Sequence, residues 1–104
     1  MLTEITTATG VPFRETQWVG TPPAETFGIW LDEVDADGPD FENRIFTHNI
    51  TLELYEPKQD PEAEQAVEAW LNAAGHKWTK QSRLWLRESK RYQVVYDFSY
   101  TSKI

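Results

Sequence analysis

Strict alternation of apolar and polar residues in two segments constrains the fold of this chain more than any other feature. Successive side chains of an extended strand point to opposite faces, so such alternation predicts a half-buried strand. In residues 44–56 the apolar face consists of Phe46, Ile50, Leu52 and Leu54. In residues 90–101 it consists of Tyr92, Val94, Tyr96, Phe98 and Tyr100. We therefore expect both segments to lie in one sheet.

One segment, residues 60–75, has the spacing of an amphipathic helix that packs on such a sheet. Asp60 can accept hydrogen bonds from free N–H groups, Pro61 suits the first turn, and Gly75 allows the left-handed stop. The apolar positions recur at helical spacing, and they are Ala63, Ala66, Val67, Trp70, Leu71 and Ala74.

The sequence patterns that predict the remaining elements are weaker. Residues 2–8 predict a short N-terminal helix that ends at Gly10, and residues 11–18, 26–34 and 78–87 predict strands. Residues 35–43 are rich in acids and turn formers and predict an exposed loop. The chain of 104 residues is long enough for one core, so residues 1–104 are expected to form a single domain. The predicted fold class is α+β, a small, mostly antiparallel sheet of four to five strands with one main helix on one face.

No residue pattern supports catalysis, a cofactor or a metal. Cysteine is absent, which excludes disulfides and thiolate metal sites. His48 is expected to be a sheet histidine bonded to a neighbour, and His76 to cap the helix end. The acids between positions 33 and 42 do not match the spacing of a calcium-binding loop, so we expect a solvated turn. We predict that the protein is not an enzyme.

Charge is unevenly distributed along the chain. The 17 Asp and Glu against 10 Lys and Arg give a net charge of −7, which opposes a general attraction to nucleic acid or to an anionic membrane. Residues 32–42 nevertheless contain six acids and no base, and residues 77–91 contain six bases and one acid. An acidic chain thus carries a basic hairpin with aromatic residues between the bases.

Three interpretations of this hairpin remain open from the residues alone. It could bind single-stranded nucleic acid through phosphate contacts and base stacking, using residues within the hairpin 77–92, namely Lys80, Arg83, Arg87, Trp78 and Trp85. It could instead pair with the acidic segment of another copy in a heterologous contact, which makes a ring if it closes. The two segments could also be solvated surfaces that happen to differ in sign.

Several local signatures, taken in order over residues 11–98, resemble the tail-terminator or tail-to-head joining proteins from the neck of long-tailed bacteriophages. The first four signatures, up to the start of the predicted helix, are Val11-Pro12, Pro22-Pro23, Leu52-x-Leu54-Tyr55 and Asp60-Pro61-x-x-Glu64. After the helix they are Gly75, Trp78 and Glu88-Ser89-x-x-Tyr92-Gln93-Val94-x-Tyr96-x-Phe98. The chain departs from the family at Phe27-Gly28-Ile29-Trp30, where a tyrosine-rich run is expected, and in its short, threonine-rich N-terminal helix.

The resemblance implies a structural protein of the virion neck or tail, assembled in the host bacterial cytoplasm, without catalysis or cofactors. It implies a ring, expected to be a hexamer, that contacts the tail-tube protein and the head connector, with no membrane or direct nucleic-acid partner. Combined with the charge split, it predicts a contact between copies in which acids of one copy face bases of the next. The acids are Asp35, Asp37, Asp40 and Glu42, and the bases are Arg83, Arg87, Lys90 and Arg91.

Overall fold

The computed structural model describes residues 2–37 and 45–103, and the two alternating segments lie at the centre of its sheet. The strands are β1 (Phe13–Glu15), β2 (Phe27–Asp37), β3 (Ile45–Glu56), β4 (Trp78–Lys80), β5 (Leu84–Leu86) and β6 (Arg91–Lys103). The helices are α1 (Ile5–Thr9), which follows a 3-10 turn at Leu2–Glu4, and α2 (Pro61–Ala73). Among the described residues six strands form one sheet in the order β1-β2-β3-β6-β4, with β5 also paired to β6.

Strand β3 pairs along its whole length on both sides. It is antiparallel to β2, from Ile45 opposite Asp37 to Tyr55 opposite Phe27. It is also antiparallel to β6, from Ile45 opposite Lys103 to Glu56 opposite Tyr92. Strand β1 lies parallel to the first part of β2, and β4 and β5 occupy successive stretches of the outer edge of β6.

The hydrophobic core lies between α2 and one face of this sheet. The predicted alternation is confirmed, because Leu52, Leu54, Val94 and Tyr96 are fully buried on that face. From α2, Val67 and Leu71 are fully buried in the same cluster, and Leu2, Ile5 and Val11 close its end. Each such side chain contributes about 1.5–3 kcal/mol by leaving water, so the covered face holds most of the stabilising area.

Helix α2 begins and ends as its sequence predicts. The Asp60 side chain accepts a hydrogen bond from the Ala63 N–H at 3.2 Å, with Pro61 in the first turn. At the other end Gly75 has φ of 78°. The Gly75 N–H donates to the Asn72 carbonyl and the His76 N–H to the Leu71 carbonyl, which is the Schellman pattern. His76 thus closes the helix through its backbone N–H.

Strand β2 is longer than the sequence indicated. The prediction that the loop begins at Asp35 was wrong, because residues 35–37 continue the ladder opposite residues 45–47 of β3. Asn49 donates a hydrogen bond to the Asp35 carboxylate at 3.0 Å, so a side-chain pair across the two strands supports the acidic end. The rest of the predicted loop, residues 38–43, lies outside the described residues.

The residues that depart from the family pattern have a packing role. Trp30 packs against the core, and its neighbours Ile29 and Leu31 lie half-buried on the opposite face. A Cβ atom at Gly28 would clash with the ring of Phe13 from β1, so glycine at this position leaves room for that ring. The short β1 ends where Thr16 adopts φ of 69°, a left-handed conformation unusual for a β-branched residue.

The predicted strand at residues 78–87 is split in two. Residues 81–83 interrupt it, although the Gln81 N–H still donates to the Val95 carbonyl at 2.9 Å. The interruption turns Arg83 towards α2, where it pairs with Glu64. The fold class is confirmed as α+β, with α2 and the short α1 on one face, and the split raises the strand number above the four to five expected.

A matched pair of leucines tests which face is the core. Replacing the fully buried Leu71 with alanine is expected to lower the free energy of unfolding by about 2–5 kcal/mol, because a cavity replaces packed atoms. Leu31→Ala, on the face away from α2, is expected to lower it by less than half as much. Urea unfolding followed by far-UV circular dichroism measures both, and equal losses would contradict the proposed core.

Candidate functional site

Two of the four acids predicted to contact another copy, Asp35 and Asp37, lie at one end of the sheet. Asp35 is exposed near the end of β2, two residues beyond the exposed Glu33. Asp37 ends the same strand, although its side chain lies outside the described part of the structure. Asp40 and Glu42 also lie outside the described residues. The structure therefore places Asp35 and the backbone of Asp37, and both belong to the same end.

Three of the six basic residues in the hairpin have partners within the chain, and they are Lys80, Arg83 and Arg91. The Lys80 ammonium lies 2.8 Å from Glu64 Oε1 and 2.9 Å from Glu68 Oε2. The Arg83 guanidinium donates to both Glu64 oxygens, at 2.9 and 2.7 Å. Within residues 2–37 and 45–103, no salt bridge involves the remaining cations Lys77, Arg87 and Lys90.

Arg91 also acts within the chain. Its guanidinium donates to the carbonyls of Pro23 at 2.5 Å and of Glu25 at 2.9 Å. It also lies over the Phe27 ring, 4.8 Å from the ring centre. Arg91 therefore fastens the segment that leads into β2 to the start of β6. Among the described residues, the exposed cations of this segment without an ion-pair partner are Lys77, just before β4, and Arg87 and Lys90, in the turn between β5 and β6.

The acidic and basic groups lie at opposite ends of the molecule. Asp35 is at the level of Thr47 and Thr101 in the ladder, whereas Arg91 precedes Thr101 by ten residues along β6. A strand rises about 3.3 Å per residue, so the two ends are roughly 33 Å apart. Asp35 and the hairpin turn therefore cannot meet within one copy, and only a second copy can bring them together.

A buried cluster of charges lies beneath the basic hairpin and was not anticipated from the sequence. Glu56, at the end of β3, is fully buried, and its Oε1 accepts a hydrogen bond from the Asp60 N–H at 3.3 Å. Arg83 Nε lies 3.7 Å from the same oxygen. Within the described residues Glu56 Oε2 has no hydrogen-bond partner. The cluster continues through Glu64 to Lys80, so it joins β3, α2 and the split strand.

The two buried carboxyl groups titrate in opposite directions. Burial, and then the neighbouring Glu64 carboxylate, raise the pKa of Glu56 to about 8. Burial also acts to raise the pKa of Glu64, but hydrogen bonds from Lys80 and Arg83 outweigh it and hold that pKa below its ordinary value. At neutral pH the pair therefore favours one proton on Glu56 and a charged Glu64 that binds both cations.

The Glu56 carboxyl group is expected to make stability fall as pH rises. Its pKa is higher in the folded state than the ordinary 4.5, so the folded protein binds this proton more tightly than the unfolded chain does. The free energy of unfolding should therefore decrease by at least about 1 kcal/mol between about pH 5 and about pH 8. Glu64, with its lowered pKa, acts in the opposite sense only at more acidic pH.

Urea unfolding at both ends of that pH range checks this prediction. Glu56→Gln mimics the protonated group and should remove most of the decrease, whereas Glu62→Gln, at an exposed position of α2, should leave it as in the wild type. A wild-type protein of constant stability across the range would contradict the assignment of the proton to Glu56.

His48 is satisfied by its neighbours, as the sequence predicted. Its Nδ1 lies 3.0 Å from Asp32 Oδ2, its Nε2 lies 3.0 Å from Ser102 Oγ, and its ring stacks on Tyr100 at 4.4 Å. A carboxylate, a histidine and a serine hydroxyl connected in this order also form the catalytic triad of many hydrolases. Ser102 is exposed on a strand, however, and a triad also needs a cleft and oxyanion donors around its serine. We assign these bonds to the joining of β2, β3 and β6.

Of the two tryptophans proposed for nucleic-acid stacking, Trp78 is packed within the chain and Trp85 is partly exposed. Trp78 packs against the core, its ring meets Tyr96 edge-on at 5.6 Å, and its Nε1 donates to Asn72 at 2.9 Å. Trp85 is 46% exposed and contacts Tyr92 at 4.8 Å. With Lys80 and Arg83 also paired, the hairpin does not present the row of free bases and rings that single-strand binding requires.

No helix in the described part of the chain is long and apolar enough to cross a membrane. Within residues 2–37 and 45–103, no group of three or more His, Asp or Glu side chains could hold a metal ion.

The fold itself is shared with a known virion component. No protein-family model matches the chain, and no curated protein matches it. Among solved structures, one chain of the virion of a native gene transfer agent particle superposes with a TM-score of 0.64 and 11% sequence identity. The superposition covers 96% of this chain and 84% of that chain. At such low identity the likeness establishes a common fold.

Proposed function

We propose that this protein is a structural subunit of a phage or prophage virion, specifically of the ring that terminates the tail and joins it to the head. The observation that carries the proposal is the fold shared with a virion component over 96% of the chain. The residue signatures from Val11-Pro12 to Phe98, which resemble those of tail-terminator and head–tail joining proteins, give independent support. No catalytic role is proposed.

The proposed assembly sets the partners and the location. The subunit binds further copies of itself, as a ring expected to contain six, and the ring contacts the tail-tube protein on one side and head-connector proteins on the other. The protein would act in the virion neck after assembly in the host cytoplasm. The net charge of −7 and the internal pairing of Lys80 and Arg83 favour this role over single-strand nucleic-acid binding.

Loss of the gene from the phage or prophage that encodes it tests this role directly. We expect filled heads and tails to accumulate separately, with tails of irregular length, because nothing stops the tube or joins it to the connector. Electron microscopy of the lysate shows both effects, and a plasmid copy of the gene should restore joined particles. Normal particles without the gene would refute the proposal, as would flanking genes for metabolic enzymes.

We also propose that the charged residues predicted from the sequence are contact residues between copies. The acids are Asp35, Asp37, Asp40 and Glu42, and the bases are Arg83, Arg87, Lys90 and Arg91. Because Asp35 near the end of β2 lies at the opposite end of the sheet from Arg87 and Lys90, this contact would join the acidic end of one copy to the basic end of another. Arg87 and Lys90 would make the contact directly, while Arg83 and Arg91 hold the hairpin in place from within.

Charge reversal tests the contact between ends. Arg87→Glu and Asp35→Lys should each weaken association by about tenfold, which corresponds to about 1.4 kcal/mol, and the mixture of the two variants should recover part of the loss. Sedimentation velocity at low and high salt measures the oligomers, and salt should act in the same direction as the single variants. Oligomers indifferent to salt and to both variants would exclude the contact.

A further inference from the structure

The part of the sheet farthest from the hairpin turn has two unpaired edges. We name this part the finger, and it consists of residues 32–37, 45–50 and 98–103 of β2, β3 and β6. Strand β1 pairs with β2 only as far as Trp30, and β4 pairs with β6 only as far as Phe98. Beyond those residues no described segment pairs with the outer side of either strand.

The backbone of β2 points hydrogen-bonding groups out of this edge at every second residue. The Gly28 N–H donates to the Pro12 carbonyl, and the Trp30 carbonyl accepts from the Thr16 N–H at 2.8 Å. Even-numbered residues of β2 therefore face the outer edge. In the finger the corresponding groups belong to Asp32, Val34 and Ala36, and they have no partner among the described residues.

The backbone of β6 does the same on the other side of the finger. The Val95 carbonyl accepts from Gln81 at the outer edge, so odd-numbered residues face outward. In the finger these are Ser99, Thr101 and Lys103, again without a described partner. Long unpaired edges invite another strand, and natural sheets usually protect them with proline, charged side chains, a bulge or a covering segment. Neither edge of the finger contains proline.

We propose that these two edges pair with each other between neighbouring copies, so that β2 of one copy extends the sheet of the next beside β6. Both strands are antiparallel to β3 and therefore run in the same direction. A neighbour in the same orientation presents its β2 edge to β6 as a parallel partner. Such a contact is heterologous, and successive copies related by one rotation form a closed ring.

Charge selects this pairing over a contact between two identical edges. Asp32, Glu33 and Asp35 give the β2 edge a negative charge, so two β2 edges repel each other. The described side chains of the β6 edge, residues 99–102, carry no charge. Beside them the exposed Lys77 precedes Trp78, which pairs with Phe98, so this cation stands close to the level of Ser99. It lies where the acids of an incoming β2 would pass.

This inference rests on the proposed ring and names its lateral contact. Edge pairing aligns like ends of neighbouring copies, so the acidic ends form one rim of the ring and the hairpin turns form the other. Within one ring the charge contact between ends is therefore an alternative to edge pairing, because it requires unlike ends of neighbouring copies to meet. Asp35 belongs to both surfaces, whereas Arg87 and Lys90 belong to the end contact alone, so Arg87→Glu tests that contact separately.

The absence of cysteine allows a direct test by disulfide formation. Val34 and Tyr100 lie on the same face and at the same level of the sheet, because both are level with His48 of β3, and Val34 is 50% exposed. Within one copy their strands are separated by β3, roughly 9–10 Å apart, which is too far for a disulfide. Mixing Val34→Cys protein with Tyr100→Cys protein under oxidising conditions should give a linked dimer, and neither variant alone should.

The double variant Val34→Cys/Tyr100→Cys extends the test. It should give a ladder of linked species in a denaturing gel, whose largest member reports the number of copies in the ring. The matched control is Val34→Cys mixed with Thr101→Cys, because Thr101 lies on the same strand but on the opposite face. Linking in the control equal to that in the test mixture would show that the thiols meet by chance and would overturn the proposal.

Other outcomes separate this inference from the proposed function. Wild-type oligomers without linking in the test mixture would overturn edge pairing and leave the ring intact. Linking of Val34→Cys to itself would overturn it in favour of paired β2 edges. A wild-type protein that stays monomeric at every concentration would overturn it as well, since the edges would have met without binding. The gene-deletion experiment remains the independent test of the role in the tail.

Discussion

The unbroken pairing of β3 with a long strand on each side is the constraint on which the rest of the structure depends. It fixes the register of β2 and β6, and with it the face on which Leu52, Val94 and Tyr96 are buried. Helix α2 can cover only part of so long a sheet, because its thirteen residues rise about 1.5 Å each. The central strands therefore extend past the helix, and because β1 and β4 also end before this extension, the finger has no described partner at either edge.

Local sequence patterns predicted the elements whose stability is decided locally. The alternation in β3 and β6 and the capping residues Asp60 and Gly75 were sufficient, because each concerns neighbouring residues or one repeating period. The extension of β2 to Asp37 was not predictable in this way. Acidic residues favour loops by intrinsic preference, and here the long partner strand and the hydrogen bond from Asn49 outweigh that preference.

The candidate site was predicted less completely, since charge along a sequence does not reveal which charges meet in space. Arg83 and Glu64 are 19 residues apart, and Arg91 reaches the carbonyl of Pro23 across 68 residues. Both cations therefore looked available for a partner molecule. Asp32, His48 and Ser102 also come together only through the register of three strands. Seven residues of sequence separate β2 from β3, so no two-residue turn sets that register.

The left-handed conformation of Thr16 ends β1 and so determines how much of the outer edge of β2 is left unpaired by the N-terminal segment. If β1 continued straight past this residue, its own backbone would occupy the groups of Asp32 and Val34 that now face outward. The backbone groups of Asp32 and Val34 would then be paired within the chain, and a strand from another molecule could not bind to them. One backbone conformation thus leaves the outer edge of β2 beyond Trp30 unpaired among the described residues, and this is the edge that the proposed contact between copies uses.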